Sequence, residues 1–150
     1  MAFVIEQQVE VAAPAAAVWQ VATDFSAYSE WNPFVVGCEC ELSVGGQIVM
    51  QVVLAEGKPP RRQVEYIREL EEGSKFAYVS PRQPRAMLHS YRSHTVTALG
   101  DGRCHYHSRF ELHGWLSPVV RLLLGSGLQR GFAAMSQALV ARAEAAASAR

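Results

Sequence analysis

Residues 9–34 read VEVAAPAAAVWQVATDFSAYSEWNPF, and this stretch decides the fold. It begins in a strand, because apolar and polar side chains alternate from residue 3 to residue 11. Pro14 is predicted to open a helix at its first position, where the missing N–H of a proline costs nothing. Val18 and Trp19 contribute to the apolar face of that helix. The segment therefore predicts a half-buried strand followed at once by a short helix.

A second, shorter helix is predicted directly after the first. Asp24 is of a residue type that caps helices. Phe25, Tyr28 and Trp31 recur every three residues and so share one face. Pro33 forces the residue before it out of the helical region and ends the element. The aromatic face of this short helix needs a partner elsewhere in the fold.

Six further strands are predicted after the short helices. Successive pairs flank a short turn that contains glycine. Short connections between consecutive strands favour an antiparallel meander. The predicted strands cover residues 34–43, 46–55, 62–71, 75–80, 87–99 and 103–113.

The last forty residues change to a helical period. Ser117 is predicted to cap a long helix, with Pro118 at its first position. Gly125 and Gly127 each weaken the middle of this segment by about 1 kcal/mol relative to Ala, which leaves open whether the helix is broken there. The apolar residues at helical spacing are Val120, Leu124, Leu128, Phe132, Met135 and Leu139.

These elements predict one α+β domain over residues 1–150. A twisted sheet of seven strands needs its apolar face covered, and only the long C-terminal helix is large enough to cover it. We expect a curved antiparallel sheet around that helix, with the two short helices between strands 1 and 2 closing one end. This arrangement leaves room for an internal cavity.

Composition excludes several classes of protein. The formal net charge is +0, without the basic excess that is typical of nucleic-acid binding. The longest apolar run, LSPVVRLLLGSGL, is too short and too interrupted to span a bilayer. Residues 1–14 lack the pattern of a signal peptide. The cysteines Cys38, Cys40 and Cys104 do not form a disulfide framework, so we expect a reducing cytoplasm.

The chain resembles the START-related superfamily, also called SRPBCC. The resemblance rests on residues 9–34, on FELHGWLSP at 110–118 and on GFAAMSQALVARAEA at 131–145. It implies the helix-grip fold, shared with the birch-pollen allergen, and the polyketide cyclase/dehydrase and lipid-transport branch is the most similar. The superfamily includes hydrophobic-ligand carriers, aromatic cyclases and chaperone ATPase activators. A hydrophobic cavity between sheet and helix is therefore implied, but no short motif assigns a catalytic residue.

Strand 103–113 offers the clearest inward face by composition. Tyr106, Ser108 and Phe110 lie on that face, together with Cys104 and Leu112. A buried hydroxyl needs a hydrogen-bond partner, so Tyr106 and Ser108 are candidates to bind a ligand. The alternative is that these hydroxyls bond each other or the backbone inside a filled core.

Strand 87–99 leaves its inward face open. One face carries Arg92 and His94, and the other carries Tyr91 and Thr95. We favour the first, in which Arg92 could hold a carboxylate or enolate. An unpaired buried Arg is costly, so this choice requires a partner or a wet cavity.

The remaining cavity candidates come from the helices. Trp31 and Phe34 are predicted near the cavity mouth. Leu128, Phe132 and Met135 are predicted to face the sheet, where one stripe serves both as core and as cavity wall.

A metal site is not predicted. His105, His107 and His113 share the outer face of strand 103–113, where imidazoles could bind zinc. The same face carries two arginines and a glutamate, which is typical of a solvated surface. No metal, cofactor, nucleic-acid partner or membrane insertion is therefore expected.

The sequence predicts a binder of a hydrophobic small molecule that is lipid-like, polyketide-like or aromatic, acting as a carrier or sensor. One alternative is a cyclase/dehydrase-type enzyme that uses Arg92, His94, Tyr106 or Ser108. Another is a protein-interaction module with a collapsed cavity. The oligomeric state is left as monomer or homodimer.

Overall fold

The computed structural model describes residues 2–149. The elements are β1 (Phe3–Val11), α1 (Ala15–Thr23), α2 (Tyr28–Trp31), β2 (Val35–Cys40), β3 (Gln47–Val52), β4 (Arg61–Glu71), β5 (Lys75–Val79), β6 (His89–Gly100), β7 (Arg103–His113) and α3 (Ser117–Ser148). A curved antiparallel sheet of seven strands, in the order β1-β7-β6-β5-β4-β3-β2, packs against one long helix. This is the helix-grip fold that the sequence predicts.

The short-helix segment ends in a turn that a side chain builds. A single 3₁₀ turn, Phe25–Ala27, precedes α2. Asn32 is buried, and its Oδ1 accepts hydrogen bonds from the backbone N–H groups of Phe34 at 3.0 Å and Val35 at 2.8 Å. Asn side chains commonly fold a turn in this way. The bonds direct the chain out of α2 and straight into β2.

Three local predictions about helix starts are wrong. Asp24 makes no capping bond, and its carboxylate instead accepts a hydrogen bond from the Ser26 hydroxyl at 3.2 Å. Ser117 is the first residue of α3, whose N-cap is Leu116. Pro14 lies one position before α1, where its carbonyl accepts from Ala17. Burial of the apolar faces, rather than side-chain capping, holds these helices in place.

β2 and β3 are shorter than predicted. The predicted strands reach residues 43 and 55, whereas β2 ends at Cys40 and β3 ends at Val52. The connection is a compact loop in which Gly46 donates to the Ser43 carbonyl. A Cβ at Gly46 would come within 2.0 Å of the Glu41 carbonyl oxygen, so only glycine fits this loop.

Helix α3 runs unbroken from Ser117 to Ser148. Its glycines permit close packing instead of a kink. A Cβ at Gly131 would lie 2.3 Å from the Phe34 ring, and a Cβ at Gly127 would lie 3.2 Å from the Leu54 carbonyl. These contacts bring the end of α2 and the β3–β4 loop against the helix, which offsets the low helix propensity of glycine.

The half of the core under the C-terminal part of α3 is solid, and we call it the sealed end. Phe76 lies at its centre and contacts Trp19 at 5.7 Å and Phe25 at 5.8 Å, measured between ring centroids. Leu139 of α3 is fully buried in the same cluster. The aromatic face of the short helices thus packs into this end of the sheet.

Candidate functional site

A cavity of about 240 Å³ lies between the sheet and the N-terminal half of α3. We call this half of the core the open end. On α3 the lining residues are Val120, Leu124, Leu128 and Phe132, which repeat at helical spacing. On the sheet the wall comes from all six strands from β2 to β7. The cavity reaches the surface, because the exposed side chains Arg61 and Gln83 also line it.

Arg92 is the only cation among residues 2–149 that is both buried and in the cavity wall; its side chain is 3% exposed. Its guanidinium donates to the Ser108 hydroxyl and lies 3.6 Å from the Met135 sulfur. It also lies 4.4 Å from the centroid of the Phe132 ring. A neutral hydroxyl, a thioether and an aromatic face hold the cation without cancelling its charge.

Glu65 faces the same cavity from β4 and is 7% exposed. The Ser90 hydroxyl donates to its Oε1 at 3.1 Å. Burial raises the pKa of Glu65 to about 7, although the Ser90 hydrogen bond and the Arg92 charge act in the opposite direction. Near neutral pH this carboxyl group can therefore hold or release a proton. Arg92 and Glu65 give an otherwise apolar cavity one polar end.

Five of the ten predicted ligand-binding residues line the cavity. They come from four different elements or connections, so the fold brings distant parts of the chain together. They are Phe34, Arg92, Phe110, Leu128 and Phe132.

Ser108 and Met135 lie just behind the lining, where both contact Arg92. They support the guanidinium and do not face the open space. The inward face predicted for β7 is confirmed, since Cys104, Tyr106 and Ser108 are all fully buried.

His94 and Tyr106 lie deeper, in the sealed end. His94 Nδ1 is 2.7 Å from the Tyr106 hydroxyl, and the His94 ring stacks on Phe76 at 4.7 Å. Burial and the nearby Arg92 charge hold the pKa of His94 well below its usual range. His94 is therefore a neutral core imidazole, away from the cavity wall. The inward face favoured for β6 is confirmed, since Arg92 and His94 are both buried. Arg92 lines the cavity, whereas His94 lies in the sealed end.

Trp31 also lies outside the cavity lining. Its ring packs against Tyr28 at 5.1 Å, and Tyr28 packs against Phe25 at 5.6 Å. Phe34 instead turns toward α3 and contacts Phe132 at 4.8 Å. The aromatic segment thus divides into a structural part and a part that reaches the cavity.

The outer face of β7 is a network of surface ion pairs. His107 and Arg109 both contact the Glu6 carboxylate at 2.7 Å, and His113 contacts Glu111 at 2.9 Å. The contacts with His107 and Arg109 lower the pKa of Glu6. A hydrogen bond from Arg109, and to a smaller extent the one with His113, lowers the pKa of Glu111. Within residues 2–149 the structure groups no three His, Cys, Asp or Glu side chains that could hold a metal. In the same range all three cysteines are free thiols.

The start of α3 and the turn before it expose large apolar side chains that do not line the cavity. Trp115, Leu122 and Leu123 are 62%, 84% and 74% exposed. Residues 2–149 nevertheless contain no helix with the length and hydropathy needed to cross a bilayer.

Glu65 is the site residue that sequence reasoning missed. In β4 the apolar Val64 and Tyr66 point to the more exposed face, whereas Glu65 points inward with Ile67. A bulge between Ile67 and Glu69 then changes the alternation. Ile67 is the one large aliphatic residue at the centre of the strand, and Glu65 lies two positions before it, on the same face. This spacing was the signal in the sequence that could have identified Glu65.

Residues 2–146 match the family described as polyketide cyclase / dehydrase and lipid transport. The chain belongs to this family. Membership fits the geometry above, since the match covers the gripping sheet and most of α3. No curated protein matches the chain.

Several solved structures have the same fold as this member of the cyclase/dehydrase and lipid-transport family, although their sequence identity to it is low. The Zhui aromatase/cyclase from Streptomyces sp. R1128 superposes with a TM-score of 0.79 at 20% identity, covering 96% of this chain and 94% of that one. A START superfamily protein from Mycobacterium smegmatis gives 0.70 at 21% identity, with 94% and 97% covered. Truncated norcoclaurine synthase from Thalictrum flavum gives 0.68 at 20% identity, with 93% and 92% covered. At such identities the similarity shows the fold alone.

Proposed function

We propose that this protein binds a hydrophobic small molecule in the cavity of the open end, as a carrier or sensor. The observation that carries the proposal is the 240 Å³ cavity itself, walled by the apolar stripe of α3. Its volume lies just below that of common ligand pockets, roughly 300–1,000 Å³. The ligand is therefore small, and apolar contact supplies most of its affinity.

The proposed contacts are Phe34, Phe110, Leu128 and Phe132 for the apolar part of the ligand, and Arg92 for its polar end. Ser108 and Met135 hold Arg92 in place. Trp31, His94 and Tyr106 have a supporting role, because they stabilise the walls and do not face the space.

A displacement assay with the apolar fluorophore N-phenyl-1-naphthylamine tests the proposal. Leu124→Trp fills the cavity from α3, whereas the matched variant Leu122→Trp adds the same ring on the exposed face of the same helix. We expect Leu124→Trp to weaken probe binding at least about tenfold and Leu122→Trp to change it less than about twofold. Equal binding by both variants and the wild type would refute the cavity as the binding site.

A second candidate function is catalysis of the cyclase/dehydrase type. It is favoured by the placement of Glu65 and Arg92 at the polar end of one cavity. Arg92 would stabilise an enolate oxygen while Glu65 transfers a proton. Conversion of a poly-β-ketone substrate that Glu65→Gln abolishes while substrate binding persists would favour the enzyme over the carrier.

The interaction-module alternative requires a filled core, and the open cavity argues against it. We propose a reducing compartment such as the cytoplasm, because the free thiols Cys38 and Cys40 are only half-buried. Monomer and homodimer remain the two proposed oligomeric states, and sedimentation analysis distinguishes them.

A further inference from the structure

Arg92 carries a buried positive charge that no negatively charged side chain contacts among residues 2–149. The guanidinium is permanently protonated, and it is almost completely removed from solvent. Among residues 2–149 no carboxylate oxygen lies within 4.0 Å of its nitrogens. Its contacts include Ser108, Met135, the Phe132 ring and the Tyr78 phenol, which are all neutral. A buried cation with neutral partners at the wall of an open cavity is a binding site for an anion.

We propose that the polar end of the cavity binds the carboxylate of an amphiphilic ligand through Arg92, and that Glu65 makes this binding depend on a proton. This inference rests on the proposed function, because it concerns the polar end of the same cavity. It specifies the class of ligand: a short hydrocarbon chain or ring that carries one carboxylate.

Glu65 has the geometry for this control. It lines the same cavity as Arg92 and is buried, with the Ser90 hydroxyl on Oε1. When Glu65 is protonated, Arg92 is the only buried charge among residues 2–149 and attracts an anion. When Glu65 is ionised, its charge offsets that of Arg92 and repels a second carboxylate in a poorly screened space. The raised pKa of Glu65 places this change near neutral pH.

The other charged and titratable groups around Glu65 are few. Arg61 lies at the exposed rim on the same strand, Tyr78 faces the cavity from β5, and His89 faces it from β6. Burial raises the pKa of Tyr78 well above its ordinary value, so this phenol stays uncharged near neutral pH. The residues of α3 and β3 in the lining are uncharged, namely Val120, Leu124, Leu128, Phe132, Met50 and Val52.

His89 is another ionisable side chain beside the polar end of the cavity. His89→Gln is therefore the matched control for Glu65→Gln, since each replaces one titratable group in the cavity wall by an amide.

The experiment measures the dissociation constants of decanoate and decan-1-ol by calorimetry between pH 6 and pH 8.5. The acid is ionised throughout this range, so only protein groups change their charge. We expect the dissociation constant of decanoate to rise about tenfold across the range, and that of decanol to change less than about twofold. Glu65→Gln should bind decanoate equally at both limits, and His89→Gln should keep the pH dependence of the wild type.

Proton linkage gives a second readout that a structural role would not move. Titrations at pH 7.5 in buffers of different ionisation enthalpy report the protons taken up on binding. We expect the wild type to take up a fraction of one proton with decanoate, and Glu65→Gln to take up none. Arg92→Met should lose the preference for decanoate while it still binds decanol.

Each outcome has one meaning. If neither ligand binds, the proposed function fails. If decanol binds as well as decanoate at pH 6, the cavity stands and the anion site is wrong. If Glu65→Gln keeps the pH dependence, or His89→Gln removes it, the assignment of the proton to Glu65 is overturned.

Discussion

The sealed end and the open end of the space between sheet and helix differ in the surroundings that they give to buried polar groups. In the sealed end, His94 and Tyr106 bond each other at 2.7 Å and stack among aromatic rings. In the open end, Arg92 and Glu65 border a cavity and have only neutral side chains within direct contact. The same strand, β6, supplies a residue to each. Arg92 and His94 therefore lie only two positions apart on one strand, but His94 stabilises the fold whereas Arg92 is available to a ligand.

The largest expected effect tests whether the two ends differ in packing. Leu139→Ala removes a fully buried side chain from the sealed end and should lower the free energy of unfolding by about 2–5 kcal/mol. Leu124→Ala removes a side chain that already borders open space, so we expect less than about half that loss. Urea unfolding measures both. Equal losses would contradict the division into a solid and an open end.

The next effect concerns the buried carboxyl group at the open end. The pKa of Glu65 is raised from 4.5 to about 7 in the folded protein, so folding favours its protonated form. Stability is then lost as pH rises from about 4.5 to 7, by at most about 3 kcal/mol for this group. Glu65→Gln should therefore gain stability relative to the wild type at pH 8 but not at pH 5. Urea midpoints at the two pH values check this, and a difference that does not depend on pH would exclude an ionisable buried Glu65.

An effect of opposite sign is expected from the sealed end. The pKa of His94 lies well below its ordinary value of 6.5, so the unfolded chain binds a proton that the folded protein does not. Below pH 6.5 the wild type should lose about 1.4 kcal/mol per pH unit from this group until the folded pKa is reached. His94→Gln should remove this contribution, even if it is less stable at pH 8. Parallel pH profiles of variant and wild type would show that His94 is not the group responsible.

The smallest effect is expected on the surface of the sealed end. Arg142 of α3 lies 3.2 Å from Glu30 of α2, and both side chains are substantially exposed. Arg142→Ala should change the free energy of unfolding by less than about 0.5 kcal/mol, because water and salt screen such pairs. Thermal unfolding measures it. A loss comparable to that of Leu139→Ala would mean that surface charge, and not the buried cluster, joins the short helices to α3.

The fold was predictable from the sequence because its signals are local and repeated. Alternation in residues 3–11, glycine turns between strand pairs and the stripe from Val120 to Leu139 each indicate an element type. Helix starts were not predictable at the level of single residues. Asp24 and Ser117 are of residue types that cap helices, but neither makes a capping bond. Tertiary packing determines where these two helices begin.

The site was predictable only in part. The inward face of β7 follows from composition, which places Ser108 inside. For β6 the sequence leaves two faces open and only favours the one that carries Arg92. Residues of the sealed core and of the cavity wall are of the same types, so the sequence does not separate His94 from Arg92. Glu65 was missed because Val64 and Tyr66 beside it are the more apolar residues, although Tyr66 is 39% exposed.

The most direct test of the central claim is a methyl NMR titration with decan-1-ol, which reports on both ends at once. We predict chemical-shift changes at Val52, Leu124 and Leu128, which line the cavity, and much smaller changes at Val18, Val96 and Leu139 in the solid core. Changes of equal size at both ends, or changes confined to the exposed Leu122 and Leu123, would contradict the account.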